Sequence, residues 1–269
     1  MKPYTLGISP CPNDTFIFEG WITGMTSSVK PVTTFADVQS LNEAAQEGAF
    51  DVVKISSGNL CALGSEYQVL QAGGAMGYGC GPLLLGNGGA SFDPAVETWL
   101  PGKNTTAALL FRLWCEKRFG LQASVLLRYE PFDAVYRALL LGQASQGVVI
   151  HEHRFTFKRD GLHLIEDLGA FWEAQTQSPI PLGVIVAKKS LGAERIVEVE
   201  STIRASLDWA WSRANLITPF IQSHAQETEQ SVMEAHIRMF VNHFSHNMGE
   251  EGARALKVLR EVADASGLG

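Results

Sequence analysis

Short apolar segments alternate with helix-like segments through the first third of the chain. Residues 5–8 are apolar and bounded by proline, which is typical of a buried strand. Residues 29–35 have an extended pattern, and residues 37–47 have the apolar spacing of a helix that ends at Gly48. A second buried strand is predicted over residues 51–56. This order of strand, helix and strand predicts βαβ units with a parallel sheet.

The same order returns after an irregular stretch that ends at Pro101. Thr105 is a good helix N-cap, and the apolar stripe that follows it stops at Gly120. Beyond Gly120 the pattern predicts a strand over 124–128, a helix over 132–141, a buried strand over 147–150, a returning strand over 181–187 and an almost wholly helical segment over 194–264. The chain is therefore predicted to contain a second α/β unit followed by C-terminal helices.

Two apolar strands, residues 83–85 and 184–187, lie where the chain would cross between the two units. Two crossings would make the first lobe discontinuous, with the C-terminal helices completing it. We therefore predict a large lobe formed by residues 1–90 and 190–269 and a small lobe formed by residues 91–189. This is an α/β, bilobal architecture of the periplasmic-binding-protein-like (type II) kind, with a ligand cleft between two α/β lobes.

The loop after the first strand is the most informative segment of the chain. Pro10 and Pro12 fix the backbone and stiffen the connection, and Asn13 or Asp14 can cap the helix that follows. A strand that leads into a helix N-terminus presents backbone N–H groups where open α/β sheets bind ligands and anions. An ordinary capped turn between a strand and a helix fits the spacing equally well.

The composition predicts a globular protein with a packed core, because 46% of the 269 residues are hydrophobic. A formal net charge of −7 argues against a nucleic-acid surface, which needs clustered Lys and Arg. No run approaches the length of a membrane span, and no secretory signal is recognised. The cysteines form no C-x-x-C pair, which argues against a disulfide framework or a cysteine zinc site: Cys11, Cys61, Cys80 and Cys115. We expect a cytoplasmic protein that binds neither nucleic acid nor a membrane.

Several common catalytic motifs are absent from the sequence. Residues 73–82 are rich in glycine, which allows close backbone approach to a ligand or a hinge, but they follow neither the G-x-G-x-x-G fingerprint nor a P-loop. No serine lies in a G-x-S-x-G elbow, which excludes an α/β-hydrolase. Cys11 has no base at a recognisable spacing and is more consistent with a small apolar filler than with a nucleophile.

His151 is the candidate general base, because it ends a predicted buried strand and an imidazole titrates near neutral pH. Alternatively, His151 has only a structural role. His153 would face the same side if the strand continued, which would give half a metal site, but zinc needs a third protein ligand and we predict no metal.

Two threonines and three further histidines complete the candidate chemistry. Thr105 and Thr106 offer hydroxyls and N–H groups at a helix start, which suits either carboxylate recognition or simple capping. His236, His243 and His246 share a predicted helix, where a solvated or packed face is the preferred interpretation.

The segment Ser9-Pro10-Cys11-Pro12-Asn13-Asp14-Thr15-Phe16-Ile17-Phe18 closely resembles the opening motif of a known family, the 1,4-dihydroxy-6-naphthoate synthases of the futalosine route to menaquinone. Eight further blocks are similar to that family and stand in its order: Lys54-Ile55-Ser56, Gly79-Cys80-Gly81-Pro82-Leu83, Gly102-Lys103-Asn104-Thr105-Thr106-Ala107, Ile150-His151-Glu152, Arg154-Phe155-Thr156, Pro181-Leu182-Gly183, Phe240-Val241-Asn242 and Gly249-Glu250-Glu251-Gly252. Because these blocks occur in the family's order from the first strand to the last helix, the resemblance is specific.

The resemblance implies a cleft enzyme that converts cyclic de-hypoxanthine futalosine, a small anionic molecule, to 1,4-dihydroxy-6-naphthoate without a metal or redox cofactor. It implies that His151 is the proton acceptor. It also implies that the substrate site is lined by Lys54, Ile55, Ser56, Thr105 and Thr106, with Asn13 and Asp14 as cleft residues. The sequence departs from the family at Ser57, where a bulkier aromatic residue is common, and at His153, where a small residue is usual.

Two alternatives share the predicted fold. A non-catalytic solute-binding protein would use the same cleft, although no signal sequence is recognised. A chorismate dehydratase of the same pathway would also share the architecture, but the opening motif and Ile150-His151-Glu152 disfavour it.

Overall fold

The structure is a computed structural model that describes residues 3–120, 125–226 and 229–266. Within these residues the first sheet contains β1 (Thr5–Ile8), β2 (Val32–Phe35), β3 (Val52–Ser56), β4 (Tyr67–Val69), β5 (Ala75–Gly77) and, far along the chain, β11 (Ile180–Lys188). The strand order is β2-β1-β3-β11-β4, and β5 also pairs with β11. β1 is parallel to β2 and β3, whereas β11 is antiparallel to β3, β4 and β5.

The second sheet contains β6 (Leu83–Gly86), β7 (Thr98–Pro101), β8 (Leu127–Glu130), β9 (Gln146–Val149) and β10 (His163–Asp167). Its strand order is β10-β6-β9-β7-β8. β7 is parallel to β8 and β9, and β6 is antiparallel to β9 and β10. The predicted parallel pairing is therefore confirmed for the βαβ units, while the strands that return to each sheet make both sheets mixed.

The described helices are α1 (Pro12–Thr23), α2 (Val38–Gln46), α3 (Thr106–Phe119), α4 (Phe132–Leu140), α5 (His153–Thr156), α6 (Leu168–Thr176), α7 (Ala193–Trp211), α8 (Pro219–His224), α9 (Gln230–Phe240), α10 (His243–His246) and α11 (Gly249–Ala265). Short 3₁₀ turns follow β3 at Ser57–Cys61 and β11 at Lys189–Leu191. None of the helices in the described part of the chain combines the length and the apolar character that a membrane span requires.

Two strands do not join the sheet that the predicted lobe boundaries assign to them. β6 was placed in the large lobe but pairs with β9 and β10, and β11 was placed in the small lobe but pairs with β3, β4 and β5. Both predicted crossings exist, but the chain leaves the first sheet before β6 and returns to it at β11. The lobe bounds near residues 90 and 190 otherwise stay a prediction.

The predicted start of the first helix is wrong by two or three residues. Cys11 occupies the N-cap position and Pro12 the first helical position, and no side chain caps the helix. Proline suits that position because its missing N–H would have no partner there and its φ is already helical. Asn13 and Asp14 therefore lie inside the first turn, where their side chains are available for other contacts.

The first turn of α1 is held rigidly because the rest of the helix is buried on all sides. Phe16, Ile17, Phe18 and Trp21 are each at most 1% exposed and pack in the core of the first sheet. Burial of each such side chain stabilises the fold by about 1.5–3 kcal/mol. The helix packs against α7, α8 and α9.

The backbones of the two lobes come close together where the turn after β3 meets the start of α3. A Cβ atom at Gly58 would lie 2.7 Å from the backbone carbon of Thr105 and 2.7 Å from the backbone nitrogen of Thr106. Backbone atoms cannot rotate away as a side chain can, so this contact needs glycine. The start of α3 is consequently placed directly against the end of β3.

Candidate functional site

A cavity of about 710 Å³, measured to its open mouth, lies between the two sheets. Its lining includes all eight residues that the sequence analysis assigned to the site: Asn13, Asp14, Lys54, Ile55, Ser56, Thr105, Thr106 and His151. They come from the first turn of α1, from β3, from the start of α3 and from the turn after β9. The fold thus gathers segments that are far apart in the sequence around one space.

Apolar side chains form much of the cavity wall. Val38, Leu41, Ile55, Leu182 and Phe240 line it from both sides. Ligand sites commonly combine such a wall with a few polar groups that fix the orientation of the ligand. The cavity therefore suits a molecule with an apolar ring and a limited number of polar substituents.

A buried ion pair forms one polar corner of the cavity. The ammonium group of Lys54 lies 2.8 Å from Asp14 Oδ1, and the two side chains are only 7% and 3% exposed. Lys54 also donates to the carbonyl oxygen of Gly73 at 3.1 Å, and Ser9 Oγ donates to Asp14 Oδ2 at 2.7 Å. Each charge is matched by a partner, as a buried charge requires.

A second polar corner joins β3 to the start of α3. The backbone N–H of Thr106 donates to Ser56 Oγ at 2.8 Å, and the N–H of Gly58 donates to Thr106 Oγ1 at 3.0 Å. The Thr106 hydroxyl also lies 3.2 Å from Ser56 Oγ and 3.3 Å from the carbonyl oxygen of Leu182. These two hydroxyls therefore connect the lobes in addition to facing the cavity.

Thr105 caps α3, as its position in the sequence predicts. Its hydroxyl accepts from the N–H of Ala108 at 3.1 Å and donates to the carbonyl oxygen of Gly102 at 3.1 Å. Among the described residues no acceptor is found for the N–H of Ala107, which also belongs to the cavity lining. The helix start thus presents one N–H group and the positive end of its dipole to the cavity.

His151 faces the cavity from a turn that follows the end of β9. Its φ of 59° is in the left-handed region, which costs about 1–2 kcal/mol for a residue with a side chain. Its ring lies 4.9 Å from that of Phe132 in an edge-on arrangement. Burial lowers the pKa of His151 to about 4, although Asp14 raises it. The imidazole is therefore neutral at pH 7 and can accept a proton.

The predicted shared face of His151 and His153 is wrong. β9 ends at Val149, and His153 begins α5, so the alternation of a strand does not continue between the two histidines. The ring of His153 instead stacks on Tyr136 with 3.8 Å between ring centres. Of these two histidines, only His151 lines the cavity.

His236 is a buried residue of the site that the sequence analysis assigned to a packed or solvated helix face. It lies in α9, whereas His243 and His246 lie in α10. Its Nε2 atom is 2.8 Å from Asn13 Oδ1, and its ring is stacked 5.9 Å from that of His151. No spacing signal was available, because His236 and Asn13 are 223 residues apart.

Three possible metal ligands come together within the described residues. Ligand atoms of Cys11, His151 and Glu152 all lie within 4.8 Å of one another. Burial raises the pKa of the Cys11 thiol well above its usual value, and Glu152 raises it further. A cation would have to displace the thiol proton and occupy the imidazole that is the candidate base.

We expect the stability of the protein to fall as the pH falls from about 6.5 towards 4. Burial lowers the pKa values of both His151 and His236, so the unfolded chain takes up protons in this range that the folded chain does not. The stabilising effect is fully present above about pH 6.5 and declines by about 1.4 kcal/mol per pH unit for each imidazole. Urea unfolding at pH 7, 6 and 5 measures it.

His151→Asn should flatten this pH dependence, because it removes one of the two imidazoles whose pKa is lowered in the folded chain. The exposed His163 is the control position, and His163→Asn should leave the pH dependence of unfolding as it is in the native chain. If the free energy of unfolding changes equally with pH in His151→Asn and in the native protein, then His151 binds its proton equally well in the folded and the unfolded chain.

Comparison with known proteins identifies the family of the chain. The family model described as "Menaquinone biosynthesis" matches residues 4–265. A relative from Streptomyces coelicolor, named 1,4-dihydroxy-6-naphtoate synthase, is 38% identical over 98% of this chain and 93% of its own. A relative of the same name from Thermus thermophilus is 36% identical over 100% of this chain and 96% of its own.

Solved structures show the fold. Protein AF1704 from Archaeoglobus fulgidus has a TM-score of 0.91 and 27% identity, covering 99% of this chain and 98% of its own. The periplasmic aliphatic sulphonate binding protein of Escherichia coli has a TM-score of 0.67 and 13% identity, covering 100% of this chain and 88% of its own. The fold is therefore α/β, bilobal and periplasmic-binding-protein-like, as predicted. On its match from residue 4 to residue 265, the chain belongs to the menaquinone biosynthesis family.

Proposed function

We propose that the protein is a lyase that converts cyclic de-hypoxanthine futalosine to 1,4-dihydroxy-6-naphthoate in menaquinone biosynthesis. The observation that carries this proposal is the full-length similarity to two relatives named for that product. The cavity supports it, because it combines apolar walls with a neutral imidazole and a helix start suited to an anion. We further propose that the protein acts in the cytoplasm.

In the proposed reaction His151 acts as the general base. Its neutral imidazole removes a carbon-bound proton beside an oxygen-bearing centre, the ring of the substrate opens, and the sugar-derived fragment leaves. Aromatisation of the product provides the driving force. The protein then needs to orient the substrate, take the proton and exclude water.

The aromatic carboxylate of the substrate would bind at the start of α3. The Ala107 N–H and the helix dipole favour a negative charge there. The hydroxyls of Ser56 and Thr106 lie beside this position, and in the structure they connect the two lobes. A bound carboxylate would exchange some of these contacts for charge-assisted hydrogen bonds, which are stronger.

The proposed activity is tested by incubating the purified protein with cyclic de-hypoxanthine futalosine and following the absorbance of the naphthoate product, with its mass as confirmation. Product should form with the native protein and should form far more slowly with His151→Asn. Saturable binding of the compound without turnover would instead favour a solute-binding protein. Turnover of chorismate, with none of the cyclic compound, would favour a chorismate dehydratase.

Replacement of both Thr105 and Thr106 by valine should weaken substrate binding more than it slows turnover. Valine keeps the shape of threonine and removes the hydroxyls, and a lost hydrogen bond to a charged group costs about 1.5–3 kcal/mol. KM should therefore rise by about 10- to 100-fold. The double serine variant keeps the hydroxyls and is the control. An unchanged KM in a folded double valine variant would mean that these hydroxyls only cap α3 and connect the lobes.

Removal of metal ions should leave turnover unchanged. The Cys11 thiol keeps its proton at neutral pH, since burial raises its pKa, and His151 is needed as a base. Dialysis against EDTA followed by the product assay tests this expectation. Loss of activity that one added divalent cation restores would show that Cys11, His151 and Glu152 form a working metal site.

A further inference from the structure

Two side chains of α2 bind both backbone groups of one residue in the loop before α3. Gln39 Oε1 accepts from the N–H of Asn104 at 3.1 Å, and Asn42 Nδ2 donates to the carbonyl oxygen of Asn104 at 2.7 Å. Gln39 and Asn42 are three positions apart and therefore lie on one face of the helix. Because α2 packs on β3 of the first sheet, whereas Asn104 follows β7 of the second, these hydrogen bonds join the two lobes.

The orientation of the Asn42 carboxamide is fixed by backbone partners whose roles cannot be exchanged. Its Oδ1 atom accepts from the N–H of Ser56 at 2.9 Å, and an N–H only donates. The carbonyl oxygen of Asn104 only accepts, so it must face the amide nitrogen. Asn42 is fully buried, so the loss of its side chain would take this partner from both backbone groups in the interior.

The loop before α3 fits closely against this face of α2. Gly102 has a φ of 89°, and a Cβ atom there would lie 2.6 Å from Gln39 Oε1 and 2.9 Å from Gln39 Cβ. Glycine is therefore needed both for the backbone conformation and for the close approach. Asp37 caps α2 by accepting from the N–H of Gln39 at 2.8 Å, and Leu41 packs in the core beneath the helix. The face that binds Asn104 thus has a fixed support.

These contacts form a ring with the second polar corner of the cavity. The N–H of Thr106 donates to Ser56 Oγ, and the N–H of Ser56 donates to Asn42. Asn42 donates to Asn104, from which the chain returns to Thr106 two residues later. Unlike Ser56 and Thr106, neither Gln39 nor Asn42 belongs to the cavity lining. A carboxylate that displaces the hydroxyl contacts between the lobes would therefore leave the contacts to Asn104 in place.

We infer that Gln39 and Asn42 are positioning residues, which hold the start of α3 against the end of β3 and so keep the Ala107 N–H in place for the substrate's carboxylate. They act through the backbone of Asn104 and do not touch the substrate. The same helix contributes apolar side chains to the cavity wall, so it places the wall and the helix start relative to each other. The role in carboxylate binding rests on the proposed function, whereas the contact between the lobes does not.

The contact between the lobes is tested by amide hydrogen exchange, which needs no substrate. The N–H of Thr106 donates across the lobes, whereas the N–H groups of Leu70 and Thr98 donate within the first and the second lobe. In Asn42→Ala we expect Thr106 to exchange at least about tenfold faster relative to Leu70 and Thr98, the effect of a hydrogen bond lost from the contact. A purely global loss of stability would accelerate all three amides together.

Asn59→Ala is the matched control for this measurement. Asn59 is as fully buried as Asn42, but its side chain bonds only to Gln46 and to the backbone of Asn42, both in α2 of the same lobe. If Thr106 exchanges no faster relative to the reference amides in Asn42→Ala than in Asn59→Ala, the inference is overturned. Gln39→Ala, at a partly buried position, should shift the ratio in the same direction. An unchanged ratio in that variant would overturn the inference even if Asn42→Ala does not fold.

Turnover tests the consequence for the site. In Asn42→Ala the KM for cyclic de-hypoxanthine futalosine should rise by at least about tenfold, as expected when a hydrogen bond to a charged group is weakened. The change in kcat should be smaller, because His151 is placed by a different segment. Asn59→Ala should leave KM near its native value. A fall in kcat at unchanged KM in Asn42→Ala would overturn the positioning role.

Asn42→Asp tests the donor to the second lobe separately. The aspartate keeps the size of the side chain and the acceptor for the Ser56 N–H, but it places an oxygen against the carbonyl oxygen of Asn104. We therefore expect Asn42→Asp to share the raised KM and the faster Thr106 exchange of Asn42→Ala, and native values of both would overturn the inference. If the native protein shows no turnover, the proposed function fails, while the exchange ratio still decides the contact between the lobes.

Discussion

Replacement of His151 by asparagine should lower kcat by about 10²–10⁴-fold, the usual effect of removing a general base. The neutral ring faces the cavity from a left-handed turn, and burial holds its pKa at about 4, so it is unprotonated at the pH of the reaction. Asparagine tolerates the left-handed backbone, so the turn should survive the substitution. Rapid-mixing and steady-state measurements of product formation at pH 7 would give the change in kcat.

The control for this experiment is His153→Asn. The ring of His153 stacks on Tyr136 outside the cavity lining, so its removal should change kcat far less than removal of His151. Binding of the substrate to His151→Asn should persist, since the imidazole is one contact among many. If His153→Asn abolishes turnover while His151→Asn does not, the proton acceptor is His153 and the cavity is not the place of the reaction.

Replacement of Lys54 by methionine should lower the free energy of unfolding by about 3–5 kcal/mol, because it leaves the buried carboxylate of Asp14 without its counter-charge. Both side chains are almost fully buried, and the substitution also removes the donor to the carbonyl oxygen of Gly73. Urea unfolding of the two proteins at pH 7 measures the difference. Activity should fall as well, because Asp14 and Lys54 form one corner of the cavity.

An exposed ion pair provides the reference for this effect. Arg137 and Asp133 are 67% and 33% exposed on one face of α4, so Arg137→Met should cost only about 0.3–0.5 kcal/mol. The double variant with Lys54→Met and Asp14→Asn should be more stable than Lys54→Met alone, since it removes the stranded charge. If Lys54→Met costs no more than Arg137→Met, the ion pair contributes nothing to the stability of the fold.

The elements that the sequence predicted best are those whose pattern is local. β1 and β3 are short apolar runs with clear ends, and Thr105 and Gly120 mark α3 by capping chemistry that acts within one turn. The predicted strand over 124–128 is found as β8, Leu127–Glu130, with Ser124 outside the described residues. Local patterns identified Thr105 and Thr106 at a helix start and His151 at a strand end, whereas Lys54, Ile55 and Ser56 were assigned to the site by the resemblance to the family.

The parts that the sequence did not predict depend on contacts between distant segments. An apolar strand such as β6 looks the same whichever sheet it joins, so its membership was assigned to the wrong side. The role of His236 depends on α9 packing against α1, and no local pattern records that contact. The side chains of His151 and His153 face different ways because His151 adopts a left-handed backbone conformation. Sequence patterns rarely predict this conformation for a residue other than glycine.

The position of β11 has a consequence for the order in which the molecule is assembled during synthesis. β4 and β5 reach the first sheet through β11, which is synthesised after every strand of the second sheet. The second sheet is continuous in the sequence, from β6 to β10, and has all its partners by then. A released chain that ends before residue 180 therefore contains every strand of the second sheet, whereas β4 and β5 of the first sheet lack their partner strand.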